Sequence, residues 1–237
     1  MFKIIFLLFS LNSFAEVNVN IGFIDKNLSF KFNQQKTKNY NINYLSETNY
    51  NLLMNRFLVG KLDMVVVPMD KVVFALSFGK DRYVLLGSVG EYVLSVKKNS
   101  NNSNSIKVGV NSNSIEHYYA LKDPRFKDAT FVNLSTVEKL VEVEKKSKLV
   151  DYLLIESKLR PNDDSMKAGK LFLLGTQSFK HLIENQEIQK VFMLNGITYK
   201  HINNDDIKSI ESFISFSNLQ TRRRGGLIQS FRDLYGD

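Results

Sequence analysis

The chain is expected to fold as α/β layers around a largely parallel sheet, and three observations lead there. Short β-branched runs alternate with amphipathic stretches along most of its length, which is the trace that βαβ units leave in a sequence. One of those runs, Met64-Val65-Val66-Val67, is continuously apolar, as befits a strand covered on both faces. The 237 residues are 43% hydrophobic and 12% aromatic, enough to bury a sizeable core in one large domain or two small ones.

Residues 1–15 read as an export signal. Lys3 supplies the positive start, residues 4–11 (IIFLLFSL) the apolar centre, and Ser13-Phe14-Ala15 the small-x-small pattern before Glu16. The apolar run falls well short of the roughly 20 residues a membrane span needs. A short N-terminal anchor is the other reading of the same features. Export sets the chemistry available to the remainder, and the absence of cysteine then removes disulfides, thiolate nucleophiles and a lipid-carrying cysteine. The expected setting is a bacterial periplasm.

The first α/β set opens with Val17–Ile24 (VNVNIGFI) as a strand. Residues 26–39 are polar and ambiguous. Residues 40–45 (YNINYL) alternate with period two and predict a second strand. Ser46 or Thr48 is placed to cap a helix carrying Tyr50, Leu53 and Phe57 at helical spacing, which Gly60 stops. Met64 to Val67 is the next strand and residues 70–78 the next helix. Tyr83–Lys98 is β-type throughout, yet it is long and marked by Gly87 and Gly90, which argues against one simple strand.

Residues 99–105 (NSNNSNS) form a solvated low-complexity loop. The second set follows. Residues 106–110 predict a strand and 114–122 a helix that stops before Pro124; residues 131–134 predict another strand, and Ser135 with Glu138 opens a helix. Residues 151–156 (DYLLIE) and 170–174 (KLFLL) are further strand candidates. Asn204, Asp205 and Asp206 begin a helix whose face is Ile207, Ile210, Phe213 and Ile214, and a last amphipathic piece spans 227–234.

Most catalytic signatures are missing. There is no phosphate-binding glycine loop, HExxH, GxSxG or EF-hand loop. His117, His181 and His201 lack metal-ligand spacing and read as structural or surface residues. The neighbouring acids Asp163-Asp164 and Asp205-Asp206 suit helix starts better than a converging site. Formal charge is +8; loss of Lys3 leaves 31 basic against 24 acidic side chains, or +7. Only Arg222-Arg223-Arg224 is a dense basic cluster, without the aromatic-studded basic face of a nucleic-acid reader. No nucleic acid, no metal, no cofactor and no enzymatic activity are expected. The most suggestive junction is Asn111-Ser112-Asn113-Ser114, a small polar turn entering a helix, which serves equally as an anion cradle or as a plain N-cap.

Five segments together resemble the type 2 periplasmic substrate-binding proteins, the amino-acid-receptor-like solute-binding components of ABC transporters. They are residues 60–68 (GKLDMVVVP), 91–98 (EYVLSVKK), 106–114 (IKVGVNSNS), 150–156 (VDYLLIE) and 226–236 (GLIQSFRDLYG). The resemblance implies a two-lobed periplasmic-binding-protein-like fold, two α/β domains joined by two crossing strands, with lobe one at 16–90 plus 176–237 and lobe two at 91–175. The chain is expected to cross near residues 87–92 and return near 174–178.

It also implies a small polar or anionic solute held between the lobes and delivered to a membrane permease. In α/β sheets ligands sit beyond the carboxyl ends of strands. That rule selects Asp25, Ser46, Pro68, Met69 and Asp70 in the first lobe, Asn111, Ser112, Asn113, Ser114, Glu156 and Ser157 in the second, and Tyr92 at the crossing. No arginine stands where amino-acid receptors hold a carboxylate, so the solute is not named. A sensory or protein-interaction module on the same fold, reading out through a membrane sensor, is the alternative, and an exported enzyme a third.

Overall fold

A computed structural model describes residues 17–24, 35–36, 40–79, 81–98, 105–134, 150–156, 166–181, 189, 192 and 198–217. The expected signal at 1–15, Asp25, the helix opened by Ser135, Ser157, the Asp163-Asp164 pair, the arginine cluster and the final piece at 227–234 lie outside these residues.

The first set contains β1 (Val17–Ile24), β2 (Gln35–Lys36), β3 (Tyr40–Glu47), α1 (Tyr50–Leu58), β4 (Met64–Pro68) and α2 (Met69–Gly79). Tyr50, Leu53, Met54 and Phe57 recur on one face of α1 and are all buried, each contributing about 1.5–3 kcal/mol of hydrophobic stabilisation. The helix is capped one residue later than expected. Because β3 runs on to Glu47, the cap falls to Asn49, whose Oδ1 accepts from the Leu52 N–H at 2.9 Å. α2 follows β4 without a loop, and its buried face is Met69, Val72, Val73, Ala75 and Leu76.

The long strand β5 (Tyr83–Lys98) leads to the second set: β6 (Lys107–Val110), α3 (Ile115–Ala120), β7 (Thr130–Asn133) and β8 (Tyr152–Glu156). The chain then returns along β9 (Met166–Thr176), and α4 (Asn204–Phe216) closes the described part. Asn203 and Asp206 form a reciprocal capping box at the start of α4.

Strand order is β2-β3-β1-β4-β9-β5-β8-β6-β7. β3, β1 and β4 are parallel to one another, as are β8, β6 and β7. The expected parallel arrangement therefore holds within each set and fails at the seam, where β9 is antiparallel to both β4 and β5, and β5 to β8. A chain that crosses from one set to the other and comes back must run against itself. The two sets are the two α/β lobes, joined by β5 and β9, and the hydrogen-bonded ladder continues through the crossing as one sheet.

β5 is one strand after all, and its glycines mark irregularities instead of ends. Its register against β9 shifts between Leu85 and Gly87, between Ser88 and Glu91, and between Glu91 and Val93, which are the positions where extra residues bend a strand. The return crossing lies earlier than expected. Gly87 pairs with Leu173 and Glu91 with Lys170, so antiparallel register sets 167–173, not 174–178, beside 87–92.

A third strap supports the seam. Ser88 and Lys200 exchange backbone hydrogen bonds of 2.9 Å, and the Tyr199 hydroxyl donates to the Leu86 carbonyl at 2.8 Å. α4 touches α2 in one lobe and α3 in the other. There Tyr118 of α3 meets Phe213 at 5.3 Å, nearly perpendicular, and Phe216 at 5.4 Å. Lys170 of β9 reaches the buried Asp206 carboxylate at 2.6 Å.

Candidate functional site

Strand polarity places the site. β4 and β5 run the same way, so the carboxyl ends of the first set point toward the second. β8 opposes β5, so the carboxyl ends of the second set point back toward the first. Helix starts and strand ends from both lobes consequently face one space, the position where α/β sheets hold ligands.

A pocket of about 190 Å³ occupies that space. That is room for several water molecules or one small solute. Pro68 ends β4 and Asp70 and Lys71 begin α2 on one wall; Asn49, Tyr50 and Asn51 at the start of α1 form another. Tyr92 of the crossing strand β5 lines it too, as do Ile115 and Glu116 at the start of α3 in the other lobe. Tyr92 and Tyr50 are both buried and meet edge to face, with ring centres 6.5 Å apart at 61°.

The electrostatics centre on Asp70. Lys71 Nζ lies 3.0 Å from its Oδ2, whereas its Oδ1 is shut off from solvent and has no hydrogen-bond partner among the described residues. Burial pushes the Asp70 pKa above the ordinary carboxylate value, and the nearby Glu116 charge adds to the rise, against the lowering influence of Lys71. Tyr119, on the next turn of α3, has its phenol pKa raised chiefly by burial, with Tyr118 and Asp70 contributing. Its hydroxyl sits over Gly169 of β9, so close that no Cβ could fit at that glycine. Among the described residues no group of three or more acids or histidines is placed to hold a metal ion.

Of the residues selected from sequence, Pro68, Asp70 and Tyr92 meet in the pocket. Met69 is fully buried in the core, Ser46 is exposed on β3, and Glu156 is the last residue of β8, paired with Leu94. The turn before α3 is occupied with its own structure. Ser114 Oγ accepts from the His117 N–H at 3.2 Å, the Asn113 N–H donates to His117 Nδ1 at 3.2 Å, and the Ser112 N–H donates to Asn133 Oδ1 at 3.1 Å. The Asn111 carbonyl accepts from the Ser114 N–H at 3.1 Å. Asn113 has φ 60°, a left-handed conformation that asparagine tolerates better than most residues. Burial lowers the His117 pKa, in keeping with a structural histidine packed on Phe131 and Phe216.

Sequence reasoning missed Asn49, Asn51, Lys71, Ile115 and Glu116, and read Tyr50 only as core. The strand-end rule selects the neighbourhood of this pocket, which is lined a few residues further on, by the first turns of the helices that follow the strands.

No protein-family model and no curated protein matches the chain. Solved structures do resemble it. An ABC-transporter protein from Parabacteroides distasonis is similar with a TM-score of 0.54 at 11% identity, over 89% of this chain and 96% of that one. The periplasmic aliphatic sulphonate binding protein of Escherichia coli gives 0.48 at 13% identity, over 84% and 86% of the two chains. The ligand-binding component of an ABC-type import system from Staphylococcus aureus, with zinc bound, gives 0.46 at 15% identity, over 91% and 84%. Identities this low speak for fold alone. The facing strand ends, the paired crossing strands and the first of these likenesses agree: the fold of this chain is the two-lobed periplasmic-binding-protein fold.

Proposed function

We propose that this chain is an exported solute-binding protein, directed out of the cytoplasm by residues 1–15, that takes a small polar solute into the inter-lobe pocket and hands it to a membrane transporter. One observation carries the reading. The end of β4 and the first turns of α1 and α2 in one lobe, the first turn of α3 in the other, and Tyr92 of a crossing strand line one small pocket, so a ligand there touches both lobes and the bent seam at once. Bending concentrated in a few residues at such a seam is how lobes close on a ligand. The fold shared with the Parabacteroides protein supports the reading, as does the lack of a catalytic constellation in the sequence.

A second reading, the sensory or interaction module, draws on α4. Its aromatic contacts to α3 and its packing on α2 already tie the lobes together, which limits how far they open.

A thermal-shift screen of small solutes tests the first reading. Solutes that raise the melting temperature of the wild type are expected to have no effect on Asn51→Trp, whose new ring stands in the pocket. Asn51 is exposed, so the variant itself should melt within about 2 °C of wild type, as surface changes of about 0.5 kcal/mol do. Equal shifts in both proteins would move the site elsewhere. If a broad screen finds no solute, the sensory reading takes its place.

A further inference from the structure

The solute expected from sequence is small and polar or anionic, whereas the acids that line the pocket outnumber its bases. Two carboxylates, Asp70 and Glu116, line it against one ammonium, Lys71, and that ammonium is already engaged with Asp70 Oδ2. The starts of α2 and α3, whose backbone dipoles would otherwise draw an anion, each carry one of these acids in the first turn. Their pull is therefore met from within the chain. Asp70 Oδ1 is the unsettled atom: it is withdrawn from solvent and accepts no hydrogen bond among the described residues. A buried carboxylate oxygen without a donor is costly, and Glu116 stands near enough to make the negative charge on Asp70 harder to hold. A cation in the pocket eases the charge on both carboxylates together, acting on Asp70 through space because its Oδ1 is itself out of a solute's reach. The largely buried Tyr50 and Tyr92 rings line the same pocket and meet each other edge to face, and an aromatic ring is a favourable neighbour for an alkylated ammonium.

Resting on the solute-binding reading above, we propose that the solute carries an amine or quaternary ammonium centre, seated between the carboxylates of Asp70 and Glu116 and against the rings of Tyr50 and Tyr92. Asn51, exposed in the first turn of α1, is left for its uncharged end.

Calorimetric titration of the full mature protein with a matched panel tests this. The cationic probes are ethanolamine and choline; 3,3-dimethylbutan-1-ol is the neutral counterpart of choline, and ethanesulfonate is the anion. A cationic probe is expected to bind at least about tenfold more tightly than the alcohol and the sulfonate, and to lose about tenfold or more in both Asp70→Asn and Glu116→Gln, the scale of one charge-assisted contact. Asp70→Asn is expected to melt no lower than wild type, because it removes a half-buried charge that partial burial and Glu116 make hard to keep ionised; Glu116→Gln, at a half-buried position, provides the control if it does. Preference for the alcohol or the sulfonate, with binding lost in Asn51→Trp, overturns the cationic assignment and leaves the solute-binding reading standing. Cationic binding unchanged in both charge variants also overturns it. If no member of the panel binds at millimolar concentration while the broader screen yields a pocket ligand, the assignment fails alone; if neither yields one, both readings fail.

Discussion

Gly169→Ala is expected to destabilise the protein by about 3 kcal/mol, from a backbone strain of about 1–3 kcal/mol and an overpacking cost of similar size. Gly169 has φ 121°, where side chains are strained whatever the space around them, and a Cβ there would stand 2.0 Å from the Tyr119 hydroxyl oxygen. For a chain of this size the melting temperature should fall by about 6–12 °C. The two contributions separate by experiment. Tyr119→Phe removes the obstructing oxygen but not the backbone strain, so Gly169→Ala in a Tyr119→Phe background is expected to recover about half of the loss. Full recovery would mean that the positive φ carries little cost, and no recovery that the ring has no room to adjust.

Gly87→Ala should be nearly as damaging, for a different reason. The new Cβ would lie 2.6 Å from Tyr199 Cε2 and 2.8 Å from the Lys200 carbonyl oxygen. The second neighbour is backbone, which no side-chain truncation relieves. Tyr199 must leave, taking its 2.8 Å bond to the Leu86 carbonyl with it, and the reciprocal Ser88–Lys200 pair is strained as well. Overpacking of about 1–3 kcal/mol together with about 0.5–1.5 kcal/mol per lost hydrogen bond gives a loss of about 3 kcal/mol. Thermal melts read the size. Native-state amide exchange reads the place, and faster exchange at Ser88 and Lys200 is expected before any change in β1 or β3. Uniformly faster exchange across the first lobe would show that the strap does not fold as a local unit.

Legibility in the sequence followed physical rules that differ between the lobe interiors and the seam. Met64 to Val67 announced a strand because both of its faces are covered, and Tyr50, Leu53 and Phe57 announced a helix because one face is. β9 was only half legible. Its apolar part, Leu171 to Leu174, pairs inside the first lobe against β4, whereas Met166 to Lys170 includes small and charged residues that satisfy the crossing geometry and leave no periodic signal. β5 was legible as β-type, but Gly87 and Gly90 looked like interruptions. Within the fold they accommodate Tyr199 and a positive φ of 127° without ending the strand.

At the site, Pro68, Asp70 and Tyr92 were legible through the strand-end rule and the crossing. Lys71 and Glu116 were not, since a charged residue in the first turn of a helix is usually there for the dipole and the solvent. Net charge is no guide to the pocket for a related reason. It sums over a surface, while a pocket is governed by the few groups within a Debye length or less.

The central claim is that one pocket, built from both lobes, is where this protein meets its ligand. The most direct measurement is amide NMR on the isotope-labelled protein, titrated with whichever solute raises its melting temperature. Saturable shifts are expected at Asn51, Asp70 and Lys71 in one lobe, at Tyr92 in the crossing strand and at Glu116 in the other lobe, all with one Kd. Shifts confined to a single lobe, or gathered on the exposed Phe74 and Phe78 face of α2 with these five amides unmoved, would contradict it.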